Sequence, residues 1–295
     1  MRGDPGEHEL VAASSLDDVL ARLADGSGEW TPIAGGTELM VAHAAGRLSA
    51  RKLVSIWGLR ELSFVRVNDN TISIGAGVTF GEIRRNATIA DEFPLLAQAA
   101  GWIGAIANQN RATLGGNIVN GSPAADAPPA LLVYDAEIEL ISHRGARRLP
   151  YCDFHLGYKQ SVLEGDELVL ALHLPRRFSK HAQYLRKVGT RKAMAITKVA
   201  LACTAIIEAQ LITEIRLAAA SVADRPVRLL AAESALLGNV LSDETITNAR
   251  LMLLDEVKPI DDIRSTAAYR KQVAANLLDD FLHGLTGIDT KGLSA

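Results

Sequence analysis

The chain has 295 residues, 48% of them hydrophobic and 22% charged, with 31 Lys and Arg against 34 Asp and Glu for a formal net charge of −3. That length accommodates about two domains with cores of their own, and the composition excludes wholesale disorder. The near-balanced charge, with no local basic block, excludes nucleic-acid binding through bulk charge, and no apolar run approaches the roughly 18–20 residues that span a bilayer.

The first ten residues, MRGDPGEHEL, are charged where an export signal is apolar, so a cytoplasmic protein is expected. A helix opens at Ser15-Leu16-Asp17-Asp18, capped by Ser14 or Ser15, runs to about Ala24, and is stopped by Gly26 and Gly28. Residues 30–34 read as a strand, and Gly35-Gly36-Thr37 turns the chain into a helix over 38–45. Residues 52–56, 61–67 and 71–74 are strand-like, the last two separated by the turn Asn68-Asp69-Asn70. An Ala-rich helix over 93–106, broken by Gly101, precedes a polar, glycine-rich stretch, 108–126, without predicted structure. Long loops inside compact domains are usually functional. Segments 137–141 and 167–174 are further strands, and Pro175-Arg176-Arg177 marks a boundary. Beyond it, 184–188, 199–208 and 214–221 form a three-stranded sheet. Helices over 226–237 (ended by Gly238), 243–254 and 265–282 (ended by Gly284) close the chain. Strands followed by helices in separate blocks indicate α+β rather than a doubly wound sheet.

The two cysteines, Cys152 and Cys203, are too few and too far apart for an iron–sulfur cluster or a four-thiolate zinc site, and read as small buried hydrophobes. The seven histidines contain no H-E-x-x-H and no close pair, and His173 reads as a satisfied strand histidine. No metal site is expected, so any redox metal used with this protein belongs to another chain.

Two double-glycine turns carry the chemistry: Ile33-Ala34-Gly35-Gly36-Thr37-Glu38-Leu39 and Thr113-Leu114-Gly115-Gly116-Asn117-Ile118. Glycine lets another group approach the backbone, and successive N–H groups in such turns converge into an anion site. Two of them could clamp a diphosphate. Four amides at roughly 1.5–3 kcal/mol each only match an association cost of roughly 4–15 kcal/mol, which points to a large nucleotide with further ring contacts. A plain tight turn remains the alternative for either. Gly75-Ala76-Gly77-Val78-Thr79-Phe80-Gly81 has the wrong spacing for a dinucleotide fingerprint and reads as a strand-to-helix turn.

Ala34 to Leu39, Arg111 to Ile118, Ser122-Pro-Ala-Ala-Asp126 with the Ala-Pro-Pro-Ala-Leu-Leu132 that follows, and Lys187 to Thr197 together resemble the FAD-binding subunit of the molybdenum hydroxylases. That family includes the flavin subunits of xanthine dehydrogenase and aerobic carbon monoxide dehydrogenase. The resemblance continues to Tyr269-Arg270 and covers nearly the whole chain. It implies a two-part FAD-binding domain of the vanillyl-alcohol-oxidase (PCMH) type over 1–177, with subdomains of about 1–58 and 59–177. A carbon monoxide dehydrogenase flavoprotein-like C-terminal domain over 178–288, with a three-stranded antiparallel sheet and helices, and a tail, 289–295, would follow. It implies non-covalent FAD, with main-chain amides of Gly35, Gly36 and Thr37 on the diphosphate. The second turn, 113–117, lies across from them, with Asn120 near the flavin or its ribityl chain. Asp126 matches a cofactor contact, or caps the helix after it; Leu170 and Lys187 match positions at the flavin end, where a lysine stabilises negative charge on the reduced ring. Lys187 as a plain surface charge is the alternative. Met194 stands where some relatives place an aromatic residue over the ring. A cysteine-rich insertion carrying an extra cluster in one family branch is missing here.

The implied role is electron transfer. A molybdopterin large subunit hydroxylates substrate, and a small subunit with iron–sulfur clusters relays electrons to this chain's FAD, which passes them to NAD, a quinone-type acceptor or oxygen. Two other readings stay open: a self-sufficient flavin oxidase or reductase of the same wider fold, and a non-enzymatic nucleotide-binding module.

Overall fold

The computed structural model describes residues 4–25, 28–191 and 193–286; the stop expected at Gly26 and the tail 289–295 lie outside them. In chain order the elements are β1 (Glu9–Ala12), α1 (Leu16–Leu23), β2 (Trp30–Ile33), α2 (Leu39–Ala44), β3 (Lys52–Ser55), β4 (Val65–Val67), β5 (Thr71–Gly75), α3 (Phe80–Arg85), α4 (Ala87–Glu92), α5 (Pro94–Ala100), α6 (Ile106–Gln109), α7 (Leu114–Val119) and α8 (Pro128–Val133). They continue with β6 (Glu137–Ser142), β7 (Gly145–Pro150), β8 (His155–Gly157), β9 (Gln160–Ser161), β10 (Leu168–Pro175), β11 (Ala182–Val188), β12 (Val199–Glu208), β13 (Leu211–Ala220), β14 (Val227–Arg228), α9 (Leu230–Leu236), α10 (Asp243–Glu256) and α11 (Ala267–Thr286).

Three hydrophobic clusters organise these elements. The first lies under a parallel sheet of order β1-β3-β2. Helix α1 buries Leu16, Val19, Leu20 and Leu23 against it, the i, i+3, i+4, i+7 stripe of an amphipathic helix. Its N-cap is Ser15, whose hydroxyl accepts from Asp18 N at 3.2 Å. The second cluster fills one face of an antiparallel sheet of order β4-β5-β10-β6-β7, covered by α3, α5, α7 and α8. The third lies between the antiparallel sheet β11-β12-β13-β14 and helices α9, α10 and α11.

The mixed α+β architecture and the three C-terminal strands are as expected. Several details differ. A short fourth strand, β14, takes the start of the helix expected over 226–237, because Val227 and Arg228 pair with Ala219 and Ala218. Helix α11 runs through Gly284 instead of stopping there. The stretch 108–126 contains α7. Of the segment 61–67 only Val65–Val67 is strand. Cys203 is buried but Cys152 is exposed, since it sits in a short 3-10 turn that buries Tyr151 instead. His173 is satisfied on β10, its Nδ1 2.8 Å from Ser73 Oγ and its Nε2 2.7 Å from Glu139 Oε2. The 75–81 glycines do form a strand-to-helix turn, closed by a capping box between Thr79 and Glu82.

Two carboxylates, Asp135 and Glu214, both bridge Arg177 and Arg216. Asp135, at φ +48°, accepts from Arg177 Nη2 at 2.6 Å, Arg216 Nε at 2.6 Å and Arg228 Nη1 at 2.9 Å.

His155 is 7% exposed, with Nε2 3.0 Å from the Tyr151 hydroxyl and Nδ1 lacking a protein partner. Burial, helped by the Arg225 charge, lowers its pKa to about 4. The unfolded chain therefore takes up a proton near pH 6.5 that the folded chain refuses until about pH 4, so stability falls as pH drops through that window, by at most about 3 kcal/mol. Urea unfolding at pH 4.5 and 7.5 is expected to show a smaller acid loss in His155→Leu than in the unsubstituted chain; equal losses would remove this assignment.

Candidate cofactor site

The two double-glycine turns, separated by about eighty residues of sequence, meet in space. A Cβ on Gly35 would lie 1.7 Å from Arg111 O and 2.4 Å from Arg111 C, so the first turn lies directly on the strand of backbone leading into the second. Arg111 Nε donates back to Gly35 O at 3.3 Å, and its guanidinium lies 3.9 Å over the Trp57 ring. The turns differ in what their amides do. Among the described residues the N–H groups of Gly35, Gly36, Thr37, Glu38 and Leu39 have no protein acceptor. In the second turn Leu114 N donates to Val78 O and Gly115 N to Ala76 O, both at 2.9 Å. Gly116 N donates to Thr113 Oγ1 at 3.2 Å and Asn117 N to Thr113 O at 3.0 Å. The expected pair of amide cups is thus corrected to one: the second turn's donors are consumed by its own cap and by the 75–81 turn.

The two glycines of the second turn have separate reasons to be glycine. A Cβ on buried Gly115 would come 2.7 Å from Ala76 Cβ, whereas on exposed Gly116 it would approach only Thr113 Oγ1, at 3.0 Å. Gly115→Ala is expected to cost roughly 1–3 kcal/mol by overpacking. Gly116→Ala is expected to change stability by less than about 1 kcal/mol. Urea midpoints of the two variants would settle the order.

Below the turns is a cavity of about 790 Å3, within the range of roughly 300–1,000 Å3 typical of small-molecule and cofactor sites. Of the residues expected at the site, Thr37, Glu38, Asn117, Asn120 and Asp126 line it. Ile33, buried at the end of β2, and the half-buried Ala34, Gly35, Gly36 and Leu39 are not among the residues that line it. Thr113, Leu114 and Gly115 are buried in the start of α7. Leu170 does not line the cavity. It sits at a bulge in β10, its carbonyl accepting from Ala76 N at 2.9 Å and its side chain packed on the first cluster.

Lys187 does not line it either, and it is no surface charge. Its Nζ, on a side chain 10% exposed, donates to Asp126 Oδ2 at 2.7 Å, while Thr197 Oγ1 donates to Asp126 Oδ1 at 2.6 Å. Burial pushes the Asp126 carboxyl above its ordinary value, against the pull of Lys187 and Thr197. Asp126 therefore holds β11 and the loop before β12 instead of capping α8, whose first turn takes no side-chain cap. Asn117 Oδ1 is buried without a partner, a group that asks for a donor from a ligand.

Much of the far wall was not legible in the sequence. Trp102, Ile103, Tyr158, Ser221 and Asp262 come from loops in both halves of the chain with no local pattern to mark them, whereas Ile196 and Arg270 fall in segments that carry the resemblance. Met194, singled out in the sequence, does line the cavity; it is 56% exposed with φ +54°, and Arg191 Nη2 donates to its carbonyl at 2.7 Å. Among the described residues no group of three or more His, Cys, Asp or Glu could hold a metal ion, and no helix is long and apolar enough to cross a membrane.

Comparison with known proteins gives the family of the chain. Residues 6–177 match the family model for the FAD binding domain in molybdopterin dehydrogenase, and residues 184–285 match that for the CO dehydrogenase flavoprotein C-terminal domain. The chain is 31% identical over 260 residues to the putative xanthine dehydrogenase FAD-binding subunit of Escherichia coli, covering 88% of this chain and 89% of that protein. It is 30% identical over 269 residues to the glyceraldehyde dehydrogenase medium chain of Sulfolobus acidocaldarius, covering 91% and 95%. A carbon monoxide dehydrogenase structure from Hydrogenophaga pseudoflava superposes with a TM-score of 0.90 at 26% identity, covering 95% of this chain and 97% of that one. The chain belongs to the family of FAD-binding medium subunits of the molybdopterin dehydrogenases.

Proposed function

We propose that the chain holds FAD non-covalently between its two glycine turns and serves as the flavin subunit of a three-part molybdenum hydroxylase. The observation that carries this is the row of five partnerless N–H groups from Gly35 to Leu39, two of whose residues line a cavity of about 790 Å3. Those amides would take the diphosphate. The Asn117 side chain, whose Oδ1 lacks a donor, and Asn120 would face the polar parts of the flavin or its ribityl chain. Lys187 would act at the flavin end through Asp126, with Leu170 and Met194 shaping the surroundings. Bound FAD would supply the redox chemistry. The protein's own work is to bind, orient and shield it, and no residue here need act as a base for hydroxylation.

The partners in this reading are an iron–sulfur small subunit, which delivers electrons, and a molybdopterin large subunit, which hydroxylates the substrate; NAD, a quinone-type compound or oxygen accepts the electrons. The FAD-binding part would span 1–177, with subdomains of about 1–58 and 59–177, and the C-terminal domain 178–288. The assembly would be cytoplasmic. Purified alone, the full chain should carry about one FAD, bleach with dithionite and recolour in air, yet turn over no hydroxylase substrate until both partners are added. A chain that takes up no FAD from a micromolar solution would end this reading, and turnover by the isolated chain would favour a self-sufficient flavoenzyme.

A further inference from the structure

Arg270, in the first turn of α11, is 4% exposed and grips the far wall of the cavity. Its Nη1 donates to two main-chain carbonyls, Lys198 O at 2.9 Å and Ser221 O at 3.2 Å, and its Nη2 donates to Asp262 Oδ1 at 2.7 Å. Ser221 is held in the left-handed region, φ +64°, a strained conformation that a non-glycine residue keeps only where its surroundings fix it. Here they do. Ser221 N donates to Pro123 O at 2.8 Å, its hydroxyl donates to Thr197 O at 3.0 Å, and its carbonyl takes the Arg270 bond. Thr197, 1% exposed, in turn donates its hydroxyl to Asp126.

The bonds thus run unbroken from Arg270 through Ser221 and Thr197 to Asp126. We infer that Arg270 is a positioning residue for the cofactor: by clamping Lys198 and Ser221 it holds the Thr197 hydroxyl on Asp126, and through Asp126 it sets the wall against which FAD binds. This rests on the proposed function only in naming FAD as what the wall receives. The task needs an arginine, because a planar guanidinium bonds two carbonyls and a carboxylate at fixed angles, whereas an ammonium is a single rotating point of charge. Asp262 completes the anchor. Its side chain also takes bonds from the N–H groups of Arg264 and Ser265.

The test uses the full-length chain and four variants: Arg270→Gln, Arg270→Lys, Asp126→Asn and the Arg270→Gln/Asp126→Asn pair. FAD affinity is read from quenching of flavin fluorescence. Arg270→Gln should weaken binding on the order of tenfold, and Arg270→Lys should recover less than half of that loss on a logarithmic scale. In the Asp126→Asn background the Arg270→Gln change should cost less than about twofold, because a residue that acts through Asp126 has nothing left to act on. Additive losses in the double variant would overturn the inference, as would full affinity in Arg270→Gln. Hydrogen exchange without cofactor provides a separate arm. Amides of 197–199 and 221–224 should exchange faster in both Arg270 variants, while the middle of α10 stays unchanged. If the unsubstituted chain binds no FAD, the functional reading fails by itself, and unchanged exchange in those two segments overturns the inference independently. Should Arg270→Gln not fold, Arg270→Lys carries both arms.

Discussion

Gly35→Ala is expected to purify without flavin absorbance and to unfold at a clearly lower denaturant concentration than the unsubstituted chain. The added methyl would sit 1.7 Å from Arg111 O, far inside any tolerable contact. The obstacle is main chain, not the swinging end of a side chain. Nor can the second turn retreat. Ala112 O accepts from Phe80 N at 3.0 Å, and Leu114 N and Gly115 N are bonded to Val78 O and Ala76 O, so that segment is pinned to the glycine turn before α3. The first turn must withdraw, which takes Thr37 and Glu38 off the cavity wall and opens the Arg111–Gly35 bond. Overpacking against backbone lies at or beyond the upper end of the usual 1–3 kcal/mol, roughly speaking. Gel filtration after loading with FAD, followed by a urea titration, checks both halves of the expectation; retention of full flavin absorbance would show that the turns need not touch.

Lys187→Met should be the most destabilising single change on the C-terminal side of the site. It removes the ammonium from a carboxylate whose side chain is 9% exposed, and stranding one member of a buried ion pair costs roughly 3–5 kcal/mol. The Thr197 hydroxyl remains as one neutral donor and offsets part of this. Burial already raises the Asp126 pKa, and losing Lys187 removes a lowering influence. In the variant the folded carboxyl therefore holds its proton to higher pH than the unfolded one. The sign follows from that: the deficit is greatest above the folded pKa and shrinks as the pH falls and the carboxyl becomes neutral. Adding Asp126→Asn to Lys187→Met should restore much of the stability by replacing the stranded charge with a neutral amide. Urea unfolding of both variants at pH 5 and pH 8 measures the cycle, and additivity of the two substitutions would show that the ion pair contributes nothing.

The strands and helices that the sequence announces are those that bury the most apolar surface. Helix α1, with its stripe of Leu16, Val19, Leu20 and Leu23, carries a period-3.6 signal, and the long strand β12, buried over its first seven residues, reads as a near-continuous apolar run. Strand β7 carries none, because five of its six residues, all but Leu149, are exposed; it is an edge strand defined by its partner β6. Strand β1 is similarly exposed and exists because Lys52–Ser55 offers it a parallel register. Helix α7 has two adjacent glycines, each costing roughly 1 kcal/mol relative to alanine, and forms because the Thr113 cap and the packing of Leu114 and Ile118 outweigh propensity.

The site divides in the same way. Its glycine turns are visible as local pattern, and the bare amides of the first lie where the pattern put them. What no local pattern can show is that the second turn's donors are already used, since their acceptors, Ala76 and Val78, sit some forty residues upstream. The wall built from Thr197, Ser221 and Arg270 is visible only in part: Thr197 and Arg270 fall in segments that carry the family resemblance, but nothing local shows that folding links them through Ser221 to Asp126.

Asp135, whose two carboxylate oxygens serve three arginines, has a consequence for anyone recombining members of this family. Arg177 closes the first half of the chain, whereas Arg216 and Arg228 belong to the second, so a chimera that exchanges one half must bring a compatible charge across the seam. Grafting a relative's second half that lacks those cations would leave Asp135 with Arg177 as its remaining guanidinium partner, and the joint would be weakened before any question of redox competence arose.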